Sequence, residues 1–194
     1  MGKIKYISNI RKFFKESPVV SMDSLKKFIN KKNKKYIYII INNLIKKKKI
    51  NKITKGFYTI YEDPSLAVFC FKPSYLGLQD ALSVHGLWEQ ETVPIIITTR
   101  KIRPGKRKIF EMNVLLRRID KKYFFGFDYV KQGDFYFSVS DVEKTLIDML
   151  YFKQRIEPEV LNNFRKRIDR KKFISYLKVY PKKFRKRALG VVDI

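Results

Sequence analysis

The stretch KKYIYIIINNLIKKK, from Lys34 to Lys48, decides how the N-terminal third of the chain folds. Its apolar residues recur at the i, i+3, i+4, i+7, i+8 spacing of an amphipathic helix, and they are Ile37, Ile40, Ile41, Leu44 and Ile45. The opposite side carries polar residues at helical spacing, namely Lys35, Tyr38, Asn42 and Lys46. One face is therefore expected to pack in a core and the other to face solvent or a partner.

Two shorter helices are predicted before this one. The first has apolar residues at helical spacing, which are Ile4, Ile7, Ile10 and Phe14. It ends before Ser17-Pro18, because a proline disfavours helical geometry in the residue that precedes it. The second begins after Ser21, whose hydroxyl is a suitable N-cap, and ends near Asn30. Its apolar face consists of Leu25, Phe28 and Ile29.

A hairpin is predicted directly after the long helix. Ile50–Ile53 and Phe57–Ile60 are short β-prone runs, and Thr54-Lys55-Gly56 between them supplies a turn with a glycine for positive φ. Three helices followed by a hairpin predict a winged helix-turn-helix domain over residues 1–62. In such domains the second helix of the helix-turn-helix pair enters the DNA major groove, and the wing lies along the backbone.

The chain of 194 residues has a formal net charge of +26, and this charge is unevenly distributed. Residues 1–60 hold 17 Lys and Arg against 2 Asp and Glu, residues 61–150 hold 13 against 12, and residues 151–194 hold 14 against 4. A general preference for lysine would have enriched the middle as well. The two basic ends therefore indicate a polyanionic partner, for which double-stranded DNA is the main candidate.

The predicted DNA contacts form two groups. The outer stripe of the long helix faces the bases, where Asn42 is suited to adenine and Lys35 to guanine. The flanking lysines position the protein on the phosphates, and they are Lys31, Lys32, Lys34, Lys52 and Lys55, while Asn33 and Thr54 beside them are further candidate DNA contacts. Two alternatives stay open. The run Lys46–Lys49 is also a favourable, solvated helix C-terminus, and winged helices also bind proteins or RNA.

From residue 63 to residue 194 the pattern predicts a mixed α+β domain with a basic helical tail, so the fold class of the whole chain is α+β. Ser74 is a candidate N-cap of a helix that ends near Gly86. Four strands are predicted, at Val93–Thr98, Ile109–Leu116, Tyr123–Val130 and Asp134–Val139. Ser140-Asp141-Val142-Glu143 is a capping-box signature that opens a further helix.

The tail contains helical stretches at Val160–Ile168 and Phe173–Leu177 and a second concentration of positive charge. This candidate second basic patch consists of Arg165, Arg167, Lys171, Lys182, Lys183, Arg185 and Arg187. The patch is either a second contact with DNA or a solvated helical edge, and the sequence leaves both interpretations open.

The sequence carries no pattern typical of an enzyme. His85, the only histidine, lies at a predicted helix C-terminus, and Cys70, the only cysteine, lies in an apolar run typical of a core. Asp141, Glu143 and Asp148 would be the carboxylates of a metal-dependent nuclease, but helix capping explains the first two more simply. We therefore expect no enzyme activity, no metal site and no cofactor. The absence of a long apolar stretch predicts a cytoplasmic protein without membrane contact.

Three phrases of the second domain are specific enough for comparison with a known family. They are YLGLQDALSVHGL from Tyr75 to Leu87, Ile97-Thr98-Thr99-Arg100, and SVSDVEKTLID from Ser138 to Asp148. Together with a wing that ends Lys55-Gly56-Phe57-Tyr58, they resemble the AbiEi-type antitoxins of abortive-infection, type IV toxin–antitoxin systems. The resemblance covers nearly the whole chain.

The resemblance implies a transcriptional repressor that is also an antitoxin. In that family an N-terminal winged helix binds inverted repeats in the operon's own promoter, and the C-terminal domain is needed for antitoxin activity. The toxin is nucleotidyltransferase-like, and the antitoxin counters it functionally rather than in a stable complex. No catalytic residue is carried over. An alternative stays open: a protein-interaction module that engages a toxin or other partner and has non-specific affinity for nucleic acid.

Overall fold

The computed structural model describes residues 13–14, 17–29, 34–90 and 92–192 of the chain. The chain divides into two compact units, which together confirm the mixed α+β class. The first unit extends to Cys70 and includes Lys108–Met112, and the second comprises Phe71–Arg107 and the chain from Asn113 onward. Among the described helices, none has the length and apolar character needed to cross a membrane.

The described part of the first unit contains two longer helices and a three-stranded antiparallel sheet. The helices are α1, Met22–Ile29, and α2, Lys34–Lys46, and the strands are β1, Val20–Ser21, β2, Asn51–Thr54, and β3, Phe57–Thr59. Strand β3 lies in the middle of the sheet, between β1 and β2. Val20 pairs with Tyr58 and Ser21 with Phe57. The segment before α1 is therefore joined to the hairpin that follows α2.

The core of the first unit forms around the inner face of α2. Ile37, Ile41 and Leu44 are buried there, and Ile40 and Ile45 are partly buried against the same core. Its other deeply buried members include Phe14, Val20 and Leu25. The predicted amphipathic helix is therefore confirmed, although it ends at Lys46 rather than Lys48.

Two local signals of the first unit are also confirmed. The Ser21 hydroxyl accepts a hydrogen bond of 3.0 Å from the backbone N–H of Ser24, which caps the start of α1. The hairpin turns at Lys55 and Gly56, and Gly56 has a φ of 81°, in the region that favours glycine. The register shifts between Lys52 and Thr54, a bulge that the sequence did not indicate.

A six-stranded sheet belongs mostly to the second unit. Its strands are β4, Ser74–Leu76, β5, Ile95–Thr98, β6, Gly105–Ile109, β7, Met112–Arg118, β8, Phe127–Gln132, and β9, Phe135–Ser140. Their order in the sheet is β6-β7-β5-β4-β9-β8. Strand β4 is antiparallel to β5 and parallel to β9, and β5 is parallel to β7. Strands β8 and β9 form an antiparallel hairpin, in which β8 is an edge of the sheet.

Five longer helices complete the described part of the second unit. They are α3, Gln79–Val84, α4, Val142–Tyr151, α5, Pro158–Arg167, α6, Arg170–Leu177, and α7, Lys182–Val191. Helix α4 is central, because every residue from Glu143 to Met149 is buried. The core combines residues of the sheet, such as Tyr75 and Ile97, with Leu146 of α4 and Phe164 of α5. The two predicted helices of the tail are confirmed as α5 and α6.

The predictions for two segments after residue 70 were wrong. Ser74 is not an N-cap, because it is buried in β4, where it pairs with Thr98 of β5. Long-range strand pairing thus overrides the local capping signal, and α3 begins only at Gln79. Its end near Gly86 is as predicted.

The single strand predicted over Ile109–Leu116 is in fact a hairpin. Strand β6 ends at Ile109 and β7 begins at Met112, while Phe110 and Glu111 between them have φ values of 50° and 65°. A two-residue turn with positive φ at both positions usually contains Asn and Gly. The pair Phe-Glu therefore gave no sequence signal for this turn.

Two element starts are displaced from their predicted positions. Lys121–Tyr123 is a 3-10 turn, so the strand predicted from Tyr123 begins only at Phe127. The N-cap of α4 is Asp141, whose carboxylate accepts from the N–H of Lys144 at 2.8 Å. Glu143 does not complete a capping box but accepts from the backbone N–H of Asp169.

Candidate nucleic-acid interface

The outward face of α2 is the candidate surface for contact with bases. Its exposed residues are Tyr38, Ile39, Asn42, Asn43 and Lys46. Successive residues of a helix are separated by about 100°, so Ile39 lies roughly opposite the buried Ile37 and Ile41. The described outward face is thus mainly amide and basic, with one aliphatic side chain near its centre.

Exposed lysines continue from the end of α2 into the hairpin. Lys47, Lys48 and Lys49 follow the helix, Lys52 lies on β2 and Lys55 lies in the turn, and all five are exposed. The backbone N–H of Met22 donates a hydrogen bond of 2.7 Å to the carbonyl of Gly56, so the turn is held to the start of α1. Thr54, a further candidate DNA contact, is half-buried.

Some predicted residues of the first unit are not covered by the structural description. Ile4, Ile7, Ile10, Lys31, Lys32 and Asn33 lie outside the described residues, as do the side chains of Phe28, Ile29, Lys34 and Lys35. Lys34 and Lys35 nevertheless belong to the first turn of α2. Their roles as DNA contacts stay predictions.

The second basic patch contains residues of two kinds. Arg165 donates to the carbonyl of Val191 at 3.0 Å, Arg187 donates to the carbonyl of Leu150 at 3.0 Å, and Arg167 donates to the carbonyl of His85. These arginines therefore connect helix ends to the rest of the second unit. The lysines of the patch, Lys171, Lys182 and Lys183, are exposed, whereas Arg185 is half-buried.

A buried polar cluster lies beneath the second unit's C-terminal helices. Lys144 and Asp148, one turn apart on α4, form an ion pair with no exposed side-chain surface. The Tyr75 hydroxyl donates to Asp148 at 2.7 Å, and the Lys144 ammonium donates to the Tyr180 hydroxyl at 3.2 Å. Burial lowers the pKa of Lys144 and raises the pKa values of Asp148 and Tyr75.

A second ionic group joins the start of α4 to α6. The Lys172 ammonium lies 3.1 Å from a carboxylate oxygen of Asp141 and 3.1 Å from one of Glu143. Partial burial lowers the pKa of Lys172, but the hydrogen bonds to Glu143 and Asp141 outweigh this effect and raise it above its usual range. Tyr176 donates to Asp141 at 2.8 Å, and burial together with this bond raises the pKa of Tyr176 to about 12.

These contacts give Asp141, Glu143 and Asp148 structural roles. Each carboxylate already binds lysine, tyrosine or backbone groups, and the described residues contain no cluster of three or more His, Cys, Asp or Glu placed to hold a metal ion. His85 caps the end of α3, and its Nε2–H donates to the carbonyl of Ser140 at 2.6 Å. Cys70 is buried.

Sequence reasoning missed several of these residues. Ile39 and Asn43 were absent from the predicted outer stripe of α2, although a full helical projection places both on that side. Lys144 was not singled out, although its i, i+4 spacing from Asp148 in an apolar helix was a usable signal. Nothing in the local sequence indicated the arginine bonds to backbone carbonyls, because their acceptors are distant along the chain.

The fold and these sites define a mixed α+β protein. No protein-family model matches the chain, and no curated protein matches it. Its fold is similar to that of the crystal structure of the RV2827C protein from Mycobacterium tuberculosis, with a TM-score of 0.60. The similarity covers 97% of this chain and 76% of that chain at 12% sequence identity, so it concerns the fold alone.

Proposed function

We propose that the protein is a DNA-binding transcriptional regulator whose first unit is a winged helix-turn-helix. In this proposal α1 and α2 form the helix-turn-helix pair, α2 enters the major groove, and the β2–β3 hairpin is the wing. The observation that carries the proposal is the outward face of α2, where the exposed Asn42 and Lys46 lie opposite a fully apolar inner face. Exposed Lys52 and Lys55 on the hairpin are suited to phosphate contacts.

The charge of the first unit supports the same partner. Residues 1–60 carry 17 basic against 2 acidic residues, and one of these acids, Asp23, is bound by Lys26 at 3.1 Å. A surface of this kind attracts the phosphate backbone and guides diffusion toward it. A protein partner with a neutral surface would gain little binding affinity from so large an excess of positive charge.

We further propose, from the resemblance to the AbiEi-type antitoxins, that the regulated promoter is the protein's own. The protein would then act in the cytoplasm on inverted repeats, as an autoregulatory repressor and antitoxin. A nucleotidyltransferase-like toxin would be its functional partner, countered without a stable complex. The exposed lysines of the second basic patch would add affinity for DNA.

The test is a salt-titrated binding assay on the DNA upstream of the gene, with a scrambled duplex of equal length as control. We expect tight binding to the upstream DNA and weak binding to the scrambled duplex. Asn42→Ala should reduce this discrimination, and Lys52→Gln should weaken binding to both duplexes. Equal affinity for both duplexes at every salt concentration would contradict the proposed function.

A second candidate function rests on the edge hairpin of the second unit. Tyr129 of β8 and Tyr136 of β9 are 72% and 59% exposed. Tyr129 pairs with Ser138, and Tyr136 pairs with Lys131, so the two tyrosines are diagonal neighbours on one face of the hairpin. Tyrosine is enriched at protein interfaces. A protein-interaction module would retain a co-expressed neighbour at high salt, and Tyr129→Ser would release it.

A further inference from the structure

Ile39 is an apolar residue that the core of the first unit does not explain. Its side chain is 57% exposed, whereas Ile37 and Ile41 on the same helix are buried. Asn42 and Asn43 follow it by three and four residues, so they are its neighbours along the outward face of α2. An isolated exposed isoleucine is unremarkable in general, but this one lies near the centre of the face proposed to enter the groove.

The chemistry of the major groove matches this combination of side chains. An A·T pair presents the 5-methyl group of thymine, which is the apolar group of the base edges, and beside it the N6–H₂ donor and N7 acceptor of adenine. An asparagine amide pairs with the adenine edge, and an aliphatic side chain packs on the methyl group. A G·C pair offers no methyl group to an isoleucine at the same position.

We propose that Ile39 contacts the 5-methyl group of a thymine and that the asparagines beside it read adenine, so that α2 selects A·T pairs at the centre of its site. This inference rests on the proposed function. The charges favour duplex DNA over a protein as the occupant, because exposed Lys46, Lys52 and Lys55 belong to the same unit. The affinity of the protein for its site is therefore expected to depend on this methyl group as well as on the adenine edge that the asparagines read.

The experiment begins with selection of high-affinity duplexes from a random library by the full-length protein. Each thymine of the selected site is then replaced singly by deoxyuridine, which lacks only the 5-methyl group. We expect one thymine in each half-site at which this replacement weakens binding about fourfold, the effect of removing one buried methyl group. Ile39→Ala should bind the thymine duplex more weakly and should no longer distinguish it from the deoxyuridine duplex.

The control variant is Val93→Ala, which removes an aliphatic side chain that is 41% exposed in the second unit. It should retain the full sensitivity to deoxyuridine. Because both side chains are exposed, thermal unfolding should show that both variants fold. The coupling between Ile39 and the methyl group then follows from the four affinities of the two proteins on the two duplexes.

The outcomes separate the inference from the proposed function. Selection of a consensus site would support the regulator. If Ile39→Ala binds that site and loses as much affinity on deoxyuridine replacement as the unsubstituted protein does, the thymine contact is overturned and the proposed function stands. A library that yields no preferred sequence would overturn both. Ile39→Ala could also still distinguish the thymine duplex from the deoxyuridine duplex but lose a protein that copurifies with the unsubstituted chain. That result would assign this face to a protein partner and overturn the inference.

Discussion

At the scale of single residues, the second unit depends on charged groups that are removed from water. Lys144 and Asp148 are completely buried, and each is held by a tyrosine hydroxyl as well as by the other. Burying one charge is costly unless a partner and hydrogen bonds compensate for it. The pair is therefore expected to behave as one unit when either member is changed.

We expect Asp148→Leu to destabilise the protein by about 3–5 kcal/mol, because it leaves the buried Lys144 without its counter-ion. The double variant Lys144→Met/Asp148→Leu should be more stable than Asp148→Leu alone, since no charge then remains in the core. Urea unfolding of the two single variants and the double variant measures the coupling. Lys26→Ala, which breaks the exposed pair with Asp23, is the control and should have little effect. Additive losses in the double variant would contradict the interpretation.

Gly126 is required for a different reason, which is close approach. Its φ is 70°, and a Cβ placed there would lie 2.9 Å from the Cβ of Lys144 and 2.8 Å from a ring carbon of Tyr176. Gly133 also has positive φ, 57°, but no atom lies within 4 Å of its hypothetical Cβ. A side chain at Gly133 would therefore meet backbone strain alone, whereas a side chain at Gly126 would meet both backbone strain and crowding.

We expect Gly133→Ala to cost about 1 kcal/mol from backbone strain alone. Gly126→Ala should cost about 1–3 kcal/mol more, because the added methyl group also crowds α4 and α6. Thermal and urea unfolding of both variants provide the comparison. Equal destabilisation by the two substitutions would show that the close approach is relieved by small movements.

The raised pKa of Tyr176 predicts that the free energy of unfolding depends on pH in the alkaline range. This pKa is raised to about 12 by burial and by the bond to Asp141, whereas the pKa of an unfolded tyrosine is about 10. Between these values the unfolded chain has lost a proton that the folded protein retains, so the free energy of unfolding falls as pH rises.

We therefore expect stability from this contact to be complete below about pH 10 and to be lost as pH rises toward about 12. Tyr176→Phe should lower stability at neutral pH and reduce the alkaline decline. Tyr129→Phe, at an exposed site on β8, is the matched control and should leave the decline unchanged. Urea unfolding at several pH values measures the effect, and an identical decline in Tyr176→Phe would contradict it.

At the scale of elements, α2 has one face that is buried in the core of the first unit and one exposed face that is the proposed DNA contact. Ile41 is 1% exposed in the core of the first unit, and Ile39, two residues earlier, is mostly exposed. The pair provides a test with the same residue type in the same helix.

Ile41→Ala should destabilise the first unit by about 2–5 kcal/mol, because it removes a buried side chain and leaves a cavity. Ile39→Ala should change the free energy of unfolding by less than about 0.5 kcal/mol. Circular dichroism during thermal unfolding checks both values, and DNA binding at a temperature where both variants are folded checks the second face. Similar destabilisation by both substitutions would contradict the assignment of the two faces.

At the scale of the whole molecule, charge is concentrated in the ends of the chain. Binding through six to ten phosphate contacts should lose on the order of a thousandfold in affinity between about 50 and about 200 mM salt. Each neutralised contact should reduce the slope of log affinity against log salt by about one. The slope therefore measures how many phosphates the protein contacts, and its change in a variant shows whether the substituted lysine makes one of these contacts.

We expect Lys52→Gln/Lys55→Gln to weaken binding to every duplex and to reduce the salt slope by about two. The charge-matched control is Lys106→Gln/Lys131→Gln, which removes two exposed lysines from the second unit. It should leave the slope nearly unchanged, because it alters the net charge equally without removing a proposed contact. A similar change of slope in both variants would show that net charge, rather than the hairpin, determines binding.

Much of the fold was predictable because its signals are local. The apolar spacing from Ile37 to Ile45 determines which side of α2 is buried, and a helix of this period has no other way to hide those side chains. Ser21 and Gly56 likewise act through their own backbone, as a cap and as a turn residue. The uneven distribution of charge along the chain can be counted directly from the sequence.

Only the tertiary structure decided the features that depend on distant partners. Ser74 became a strand residue because β5 pairs with it, and Phe110-Glu111 became a turn because β6 and β7 continue on either side of it. Lys144 is buried because Asp148 and Tyr180 surround its charge. By itself the sequence determined most of the helices and where charge collects, although it did not indicate the helix Lys182–Val191. Which polar groups are buried, and whether an arginine serves the fold or stays free for a ligand, depends on packing between residues far apart in the chain.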